Sequence, residues 1–192
     1  MAKRVATRGR WECAVRAMVL TGLGLLSMLV AGYFSGARFN MTESLPQGLY
    51  WRVERFVSRD AYVRFCPPVT AVFAEARRRG YLHDGHCPSG YRALIKRVSG
   101  VAEDSIEVEK DAIRVNGISL PLSAPLSADM AGRPLPRLDR KHYVLTSAQL
   151  WAMSDTNGRS FDSRYFGPID RSWVTDVMTP VLTWGYGGTL SR

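Results

Sequence analysis

Residues 42–50 read T-E-S-L-P-Q-G-L-Y and follow a long apolar run by only a few positions. Pro46 fixes its own backbone and holds Leu45 extended, while Gly48 lets the chain reverse its direction. The stretch therefore predicts a rigid turn where the chain passes from a membrane segment into a folded domain. Two interpretations stay open: the turn is only a juxtamembrane connection, or it presents Ser44 as a nucleophile close to the bilayer.

The apolar run, residues 17–37, reads AMVLTGLGLLSMLVAGYFSGA and carries no charged side chain, and its length suffices to cross a bilayer. Five basic residues and the single acid Glu12 precede it. The positive-inside rule then predicts a cytoplasmic basic tail over residues 1–16 and an exported domain over residues 38–192. Small residues at 35–37 also fit a leader-peptidase site, which leaves a cleaved signal peptide as the alternative to an uncleaved anchor.

The formal net charge of the chain is +9, and it is +5 once residues 1–36 are set aside. In an exported domain, this excess favours contact with anionic lipid headgroups. The sequence contains no helix-turn-helix, zinc-finger or single-strand-binding signature. Inner-membrane lipid is therefore an expected partner, and nucleic acid is not.

Three cysteines divide between the two predicted compartments. Cys13 lies on the cytoplasmic side, where thiols stay reduced, whereas Cys66 and Cys87 lie in the exported domain, where a disulfide persists. A bridge between them would stabilise the fold by about 3 kcal/mol in the chain-entropy model. The alternative is a zinc site that also uses His83 and His86, although its spacing matches no established ligand pattern.

Short apolar stretches between turn residues predict a mainly β, antiparallel exported domain. The predicted strands cover residues 49–56, 61–65, 91–98, 105–109, 112–115, 118–120, 143–146 and 173–184. One short helix is predicted within residues 69–79, between Pro68 and Gly80, because apolar residues recur there at helical spacing. Asn-Gly at 116–117 predicts a tight hairpin turn, and the proline-rich residues 121–140 predict a long surface excursion.

Lys96 lies in the predicted strand 91–98, where alternation places Leu94, Lys96 and Val98 on one face. If that face points inward, burial disfavours the ammonium form and lowers the pKa of Lys96, as a proton acceptor near neutral pH requires. Lys96 could then activate the Ser44 hydroxyl without a histidine. The alternative is a lysine that extends to solvent from a strand edge.

A third segment, S-F-D-S-R-Y-F-G-P at residues 160–168, places Asp162 two positions before Arg164. In an extended segment the two side chains share a face and can pair. Isolated pairs of this kind are common in loops and contribute little to stability. Taken alone, the segment indicates only a structural ion pair.

Three segments in this order, M-T-E-S-L-P-Q-G-L-Y, L-I-K-R-V-S-G-V-A-E-D and S-F-D-S-R-Y-F-G-P, resemble the motif boxes of the type I signal peptidase family of Ser/Lys serine proteases. The S-L-P-Q-G-L-Y form and the short domain are similar to the TraF branch, plasmid-encoded peptidases that mature the pilin in conjugative transfer. The resemblance implies a single inner-membrane anchor followed by a signal-peptidase-like β domain in the periplasm. It implies neither a metal nor a cofactor.

The resemblance also implies residue roles. Ser44 corresponds to the nucleophile and Lys96 to the general base. Asp162 corresponds to an acidic residue that is counted with the catalytic group in the TraF branch. Elsewhere in the family, the same acidic residue braces the site through a neighbouring arginine, which is Arg164 in this chain.

Two further positions complete the set. Ser160 corresponds to a serine whose hydroxyl helps to hold the lysine amine, and Thr42 to a residue whose hydroxyl joins the Ser44 backbone N–H in the oxyanion hole. The chain departs from the housekeeping enzymes at 103–104, where Glu-Asp replaces Gly-Asp, and at Leu45, where they have methionine. The first departure bears on the turn beside the lysine, and the second on the substrate pocket.

The resemblance implies cleavage of a pilin precursor, in which water releases the acyl-enzyme or, in the TraF branch, a chain-end amine joins the pilin head to tail. Ser44 lies within about 28 Å of the membrane exit at Gly36, so the peptide bond it meets is just outside the bilayer. A conjugative secretion apparatus is the other expected partner. The alternatives are a general leader peptidase and a non-catalytic anchored adaptor of a secretion apparatus. A repressor-type self-cleaving protein is excluded, since it should be cytosolic and carry a DNA-binding domain.

Overall fold

A computed structural model of the protein describes residues 2–138 and 141–184, with side chains from residue 11 onward. The chain forms two units, divided between Arg38 and Phe39. The last two residues of the predicted excursion and the C-terminal end of the predicted exported domain lie outside the described residues.

The first unit is dominated by one long helix, α1 (Ala2–Ser35). Its stretch Trp11–Ser35 has a mean hydropathy of 1.9, and it is the one helix in the described part of the chain that is long and apolar enough to cross a membrane. It therefore fits a single-pass membrane anchor. The helix begins at Ala2, so most of the predicted cytoplasmic tail is helical. A signal sequence near the N-terminus can meet the same length and hydropathy criteria, so cleavage after Ala37 stays an alternative.

The second unit is built on two β-sheets. Across the seven-stranded sheet the strands follow the order β1 (Ala37–Asn40), β2 (Gln47–Val53), β11 (Val174–Trp184), β3 (Tyr62–Phe65), β4 (Leu94–Gly100), β9 (Gln149–Met153) and β10 (Ile169–Asp170). The four-stranded sheet follows the order β7 (Ile118–Ser119), β6 (Ile113–Val115), β5 (Ser105–Val108) and β8 (His142–Val144). The registered pairings from β2 onward are antiparallel, which confirms the predicted fold class.

Strand β4 is an interior strand, with β3 on one side and β9 on the other. Lys96 and Val98 are buried, as the alternation of the sequence predicts, whereas Leu94, the third residue of the predicted face, is half-buried. Arg97 pairs with Met153, the last residue of β9. Because Lys96 lies inside the sheet and is buried, the alternative of a lysine that reaches solvent from a strand edge is wrong.

Strand β9 connects the two sheets through its side chains. Leu150 and Ala152 pack into the core of the large sheet, while Trp151 and Met153 pack against the small sheet. All four residues are buried, so the strand shows no alternation of apolar and polar residues. The predicted strand set omits β9 for this reason, since a short apolar run on both faces lacks the period-two signal.

The remaining differences concern short elements. The predicted hairpin turn is confirmed, because Asn116 and Gly117 both have positive φ between β6 and β7. Strands β1 and β10 and the four-residue helix α3 (Ser163–Phe166) are absent from the sequence prediction. Elements of two to four residues carry little periodicity of their own, and strands of this length that the sequence does predict, such as β6 and β7, are marked by the turn residues between them. A single turn of 3-10 helix (Arg171–Trp173) leads into the last strand.

The predicted helix of the exported domain is α2 (Ala71–Arg78), and a disulfide lies beside it. Cys66, directly after β3, bonds to Cys87 in the loop beyond the helix, with a Cα–Cα distance of 5.5 Å. The predicted disulfide is therefore confirmed. The alternative zinc site is wrong, because its two cysteines bond to each other and both His83 and His86 are exposed.

Aromatic side chains pack α2 against the segment that carries α3. The ring of Phe73 on α2 lies 5.0 Å from that of Phe166 and 6.2 Å from that of Phe161, measured between ring centroids. Phe161 also stacks on Tyr165 at 6.0 Å. Such pairs contribute about 0.5–1.5 kcal/mol each beyond the area they bury. The cluster fixes the chain on either side of Asp162.

We expect Gly48→Ala to lower the free energy of unfolding by at least about 3 kcal/mol, because both conformation and space at this position exclude a side chain. Gly48 has φ +152°, and a Cβ there would lie 2.1 Å from the Leu182 carbonyl oxygen of β11. Gly132→Ala is the matched control, since Gly132 has φ +74° with no atom within 4 Å. The control should lose only about 1 kcal/mol. Urea unfolding in detergent measures both losses, and equal losses would contradict the steric explanation.

Replacing both Cys66 and Cys87 by alanine should lower the free energy of unfolding by about 2–5 kcal/mol, because the bridge restricts the unfolded chain. The control is Cys13→Ser, which alters an exposed free cysteine and should change stability by less than about 0.5 kcal/mol. A reducing agent should destabilise the wild type and leave the double variant unchanged. An equal response of both proteins to the reducing agent would show that the bridge does not form in solution.

Candidate active site

Three polar side chains from distant parts of the sequence form a hydrogen-bonded chain. Lys96 Nζ donates to Ser160 Oγ at 2.6 Å, and Ser160 Oγ donates to Ser44 Oγ at 3.2 Å. Ser44 lies on the turn between β1 and β2, and Lys96 on interior strand β4. The structure thus joins the predicted nucleophile and the predicted base through Ser160.

Burial is the main influence on the charge of Lys96. The side chain is fully enclosed, and this desolvation lowers the pKa of Lys96 from its ordinary 10.5 to about 8. The carboxylate of Asp162 opposes the shift, and the guanidinium of Arg164 adds to it. Because a pKa near 8 lies close to neutral pH, an appreciable fraction of this lysine is neutral and able to accept a proton.

Asp162 and Arg164 form an ion pair that is wholly buried. Arg164 Nη2 donates to Asp162 Oδ2 at 2.7 Å and Arg164 Nε donates to Asp162 Oδ1 at 2.8 Å. The carboxylate also caps α3 by accepting the Arg164 backbone N–H. Two parallel hydrogen bonds give the pair a fixed geometry that an exposed pair would lack.

The guanidinium of Arg164 also donates to backbone carbonyls. Its Nη1 binds Leu122 O at 3.0 Å and Gly158 O at 2.6 Å, while its Nη2 binds Asn157 O at 3.3 Å and Ser160 O at 3.1 Å. Three of these carbonyls belong to residues 154–160, which we name the 154–160 turn. Arg164 therefore holds that turn in one conformation.

The 154–160 turn contacts Ser44, the predicted nucleophile, and its neighbour Glu43 through further hydroxyl groups. Ser154 Oγ donates to Ser44 O at 2.5 Å, and Thr156 Oγ1 donates to Glu43 O at 3.4 Å. The Ser154 N–H donates to Asp162 Oδ2 at 3.1 Å. Neither Ser154 nor Thr156 is predicted from the sequence as a site residue. The hydroxyl residues that follow the apolar run of β9 are the signal that could have identified them.

Asn40, which precedes the turn that carries Ser44, stabilises that turn through its side chain. Its Nδ2 donates to the carbonyls of Thr42, Leu45 and Pro46, and its Oδ1 accepts both the backbone N–H and the hydroxyl of Thr42. Asn40 is buried, and the sequence analysis did not identify it. Thr42 is exposed, and its hydroxyl is bound to Asn40 at 2.7 Å rather than free.

A cleft of about 560 Å³ opens beside the hydroxyl chain. Ser44 and Ser160 line it together with Phe161, Tyr165 and residues of the excursion such as Met130. Its walls combine these apolar side chains with the charged Glu43, Asp129, Arg133 and Arg159, and Ser44, the predicted nucleophile, is part of the lining. Such a volume accepts several side chains of an extended peptide. In the described ranges, no three His, Cys, Asp or Glu side chains lie close enough to hold a metal ion.

The model of the family described as "Signal peptidase, peptidase S26" matches residues 10–182 of the chain. The chain belongs to the S26 signal peptidase family. It is 48% identical over 167 residues to the plasmid transfer protein TraF of Escherichia coli, covering 87% of this chain and 94% of that protein. It is 37% identical over 171 residues to the conjugal transfer protein TraF of Agrobacterium tumefaciens strain 15955, covering 86% and 94%. A crystal structure of a signal peptidase I from Enterococcus faecalis aligns with 65% of this chain and 98% of its own, at 20% identity and a TM-score of 0.39.

Two departures from the housekeeping signal peptidases can be located. Glu103 has φ +68°, so this chain keeps at 103 the left-handed backbone that glycine adopts without strain. The neighbouring Asp104 accepts Arg59 Nη2 at 2.6 Å and the Val101 N–H at 2.7 Å. The hydrogen bonds of Asp104 with Arg59 and Val101 therefore stabilise the turn beside β4. Leu45 is buried in the domain.

Lys96→Met should make the protein more stable at pH 7 by up to about 3 kcal/mol. At that pH the lysine is mostly charged in both folded and unfolded chains, and its lowered pKa, from 10.5 to about 8, means that the charged form opposes folding. This penalty disappears as pH rises from about 8 towards 10.5, so the advantage of the variant should shrink over the same range. Urea unfolding between pH 7 and pH 9.5 measures the difference.

The exposed Lys110 supplies the control, because Lys110→Met should change stability by less than about 0.5 kcal/mol at every pH. A gain for Lys96→Met that does not vary with pH would contradict a depressed pKa for Lys96 and would point to packing alone.

Proposed function

We propose that the protein is a membrane-anchored Ser/Lys serine peptidase that processes a pilin precursor for conjugative transfer. The observation that carries the proposal is the hydrogen-bonded chain from the buried Lys96 amine through Ser160 to the Ser44 hydroxyl. Burying a lysine whose amine is hydrogen-bonded to a hydroxyl rather than to a carboxylate costs folding free energy. The same burial favours a neutral amine, which can accept a proton. Membership of the S26 family supports peptidase activity.

The role in conjugation rests on the relatives. Those that cover most of this chain are named plasmid transfer or conjugal transfer proteins, in Escherichia coli and in Agrobacterium. A peptidase in such a system would act on an exported subunit of the transfer apparatus. The cleft beside Ser44 is lined in part by residues of the 121–140 excursion, and it suits an extended segment of such a precursor.

In the proposed mechanism, Ser44 Oγ attacks the scissile carbonyl carbon while its proton passes through the Ser160 hydroxyl to the neutral amine of Lys96. Hydroxyl hydrogens rotate, so Ser160 can accept from Ser44 and donate to Lys96 in this step. The Ser44 backbone N–H and the Thr42 hydroxyl, which would turn away from Asn40, stabilise the oxyanion. Lys96 then protonates the leaving amine, and an ester links the acyl group to Ser44.

The acyl-enzyme is resolved by a second nucleophile. Water gives a free carboxylate and regenerates Ser44, whereas a chain-end amine gives a new peptide bond and the same free enzyme. Hydrolysis and head-to-tail joining of the pilin both stay open, and the resemblance to the TraF branch implies the second. The two products differ by one water molecule, so intact mass distinguishes them.

We place the catalytic domain in the periplasm. Basic side chains precede the apolar stretch of α1, which favours a cytoplasmic N-terminus. The Cys66–Cys87 disulfide agrees with an oxidising compartment, since such bridges are rare in the cytosol. Ser44 would then meet its substrate a few residues beyond the membrane, where a precursor held by its own signal sequence is presented.

Co-expression of a candidate pilin precursor with the wild-type protein should shorten the precursor, and Ser44→Ala and Lys96→Ala should leave it whole, with activity at least about 10³-fold lower. Intact mass spectrometry reads the products. A product lighter by one further water would establish cyclisation. The matched control is Lys110→Ala, which removes an exposed lysine from the same domain and should process normally.

Other results would select an alternative. Equal processing by wild type and Ser44→Ala would favour a non-catalytic adaptor and a separate protease. Equal cleavage of an unrelated exported precursor would favour a general leader peptidase with the same chemistry.

A further inference from the structure

Two hydroxyl groups of the 154–160 turn bind the backbone on both sides of Ser44. Ser154 Oγ donates to the carbonyl of Ser44 at 2.5 Å, and Thr156 Oγ1 donates to the carbonyl of Glu43 at 3.4 Å. Neither side chain belongs to the proton path, which runs from Ser44 through Ser160 to Lys96. Their target is the backbone of the nucleophile residue.

Holding these two carbonyls fixes the orientation of Ser44. Each peptide group is planar, so one carbonyl defines the plane before Ser44 and the other defines the plane after it. Both planes share the Ser44 Cα, and together they set the direction of its Cβ, while the hydrogen bond from Ser160 Oγ holds Oγ. In a trans peptide the N–H points opposite to the preceding carbonyl. The bond to Glu43 O therefore directs the Ser44 N–H away from the 154–160 turn.

Ser154 is itself held rigidly. Its hydroxyl oxygen accepts the backbone N–H of Asn157 at 2.9 Å and that of Thr156 at 3.3 Å, while its hydrogen is used on Ser44 O. A hydroxyl has one donor and two acceptor sites, so all three are occupied. Its backbone N–H is bound by Asp162 Oδ2. With a side chain 3% exposed, Ser154 has little freedom to change partner.

We propose that Ser154, with a smaller contribution from Thr156, is a positioning residue that clamps the peptide groups flanking Ser44. The clamp keeps the attacking oxygen and the Ser44 N–H aligned with the same scissile carbonyl. The proposal rests on the proposed function, in which Ser44 is the nucleophile. It separates two tasks: Ser160 and Lys96 handle the proton, whereas Ser154 and Thr156 fix the geometry of attack.

This division predicts a particular kinetic pattern. Ser154→Ala should lower kcat by about tenfold to a hundredfold, as a small misplacement of reacting atoms does, and leave KM within about twofold. Because Lys96 keeps its partners, the apparent pKa of the acidic limb of the pH–rate profile should stay near its wild-type value. Thr156→Val should lower kcat by about threefold to tenfold, and Thr156→Ser should restore it, since the hydroxyl returns.

The experiment uses the full-length protein in detergent and the precursor that the wild type cleaves. Ser123→Ala is the matched control: Ser123 is 2% exposed, and its Oγ donates to Leu120 O at 2.6 Å and accepts the Ile113 N–H at 2.9 Å, so its side-chain partners lie on β6 and just after β7. The Ser123→Ala variant loses a buried hydroxyl comparable to that of Ser154, and it should keep the wild-type kcat. Urea unfolding of both variants shows whether their stabilities fall equally.

Each outcome decides between two claims. If Ser44→Ala is inactive and Ser154→Ala alone shows the lower kcat at an unchanged acidic pKa, the clamp is supported. If Ser154→Ala keeps the kcat of Ser123→Ala, or if its acidic pKa moves by about one unit, the clamp is wrong while Ser44 stays the nucleophile. If Ser44→Ala cleaves as fast as wild type, the proposed function and the clamp both fail.

Discussion

The site depends on the buried ion pair between Asp162 and Arg164. Taking two charges out of water costs several kcal/mol per ion, and the cost is offset only where the geometry is good and further hydrogen bonds are made. Both conditions hold, because the guanidinium donates twice to the carboxylate and also to four backbone carbonyls. Residues 154–160 form no helix or strand, yet the pair fixes them. The turn can then present the hydroxyls of Ser154, Thr156 and Ser160 to the nucleophile segment.

The same pair leaves the basicity of Lys96 under the control of burial. The negative charge of Asp162 raises the pKa of Lys96, and the positive charge of Arg164 lowers it, so their effects oppose each other. Desolvation is the larger cause and brings the pKa to about 8. A lone carboxylate at position 162 would hold the lysine in its charged form. Pairing the carboxylate with an arginine therefore allows a rigid polar turn to lie beside a neutral amine.

The sequence predicts what depends on short periods and local chemistry. The inward face of β4 follows from the alternation of its residues, and the Asn116-Gly117 hairpin follows from its turn residues. The Cys66–Cys87 bridge follows because these are the two cysteines of the predicted exported domain. The positions of Ser154 and Asn40 could not be predicted in the same way. Ser154 follows β9 and bonds to Ser44, a residue 110 positions away, while β9 itself pairs with β4 across more than fifty positions and is buried on both faces. Serine and asparagine are also frequent in ordinary turns, so their types alone carry no signal.

In the proposed mechanism, Asp162 would affect catalysis without touching the reacting atoms. Its oxygens accept hydrogen bonds from Arg164 and from the Ser154 N–H, so its contact with Ser44 runs through Ser154. Removing the carboxylate would leave a buried guanidinium without its counter-charge, which costs about 3–5 kcal/mol, and would release the turn that carries three hydroxyls. A loss of activity on replacement of Asp162 would then follow from loss of alignment alone. A proton-transfer role for Asp162 would require its carboxylate to leave Arg164, and the two hydrogen bonds between them oppose that exchange.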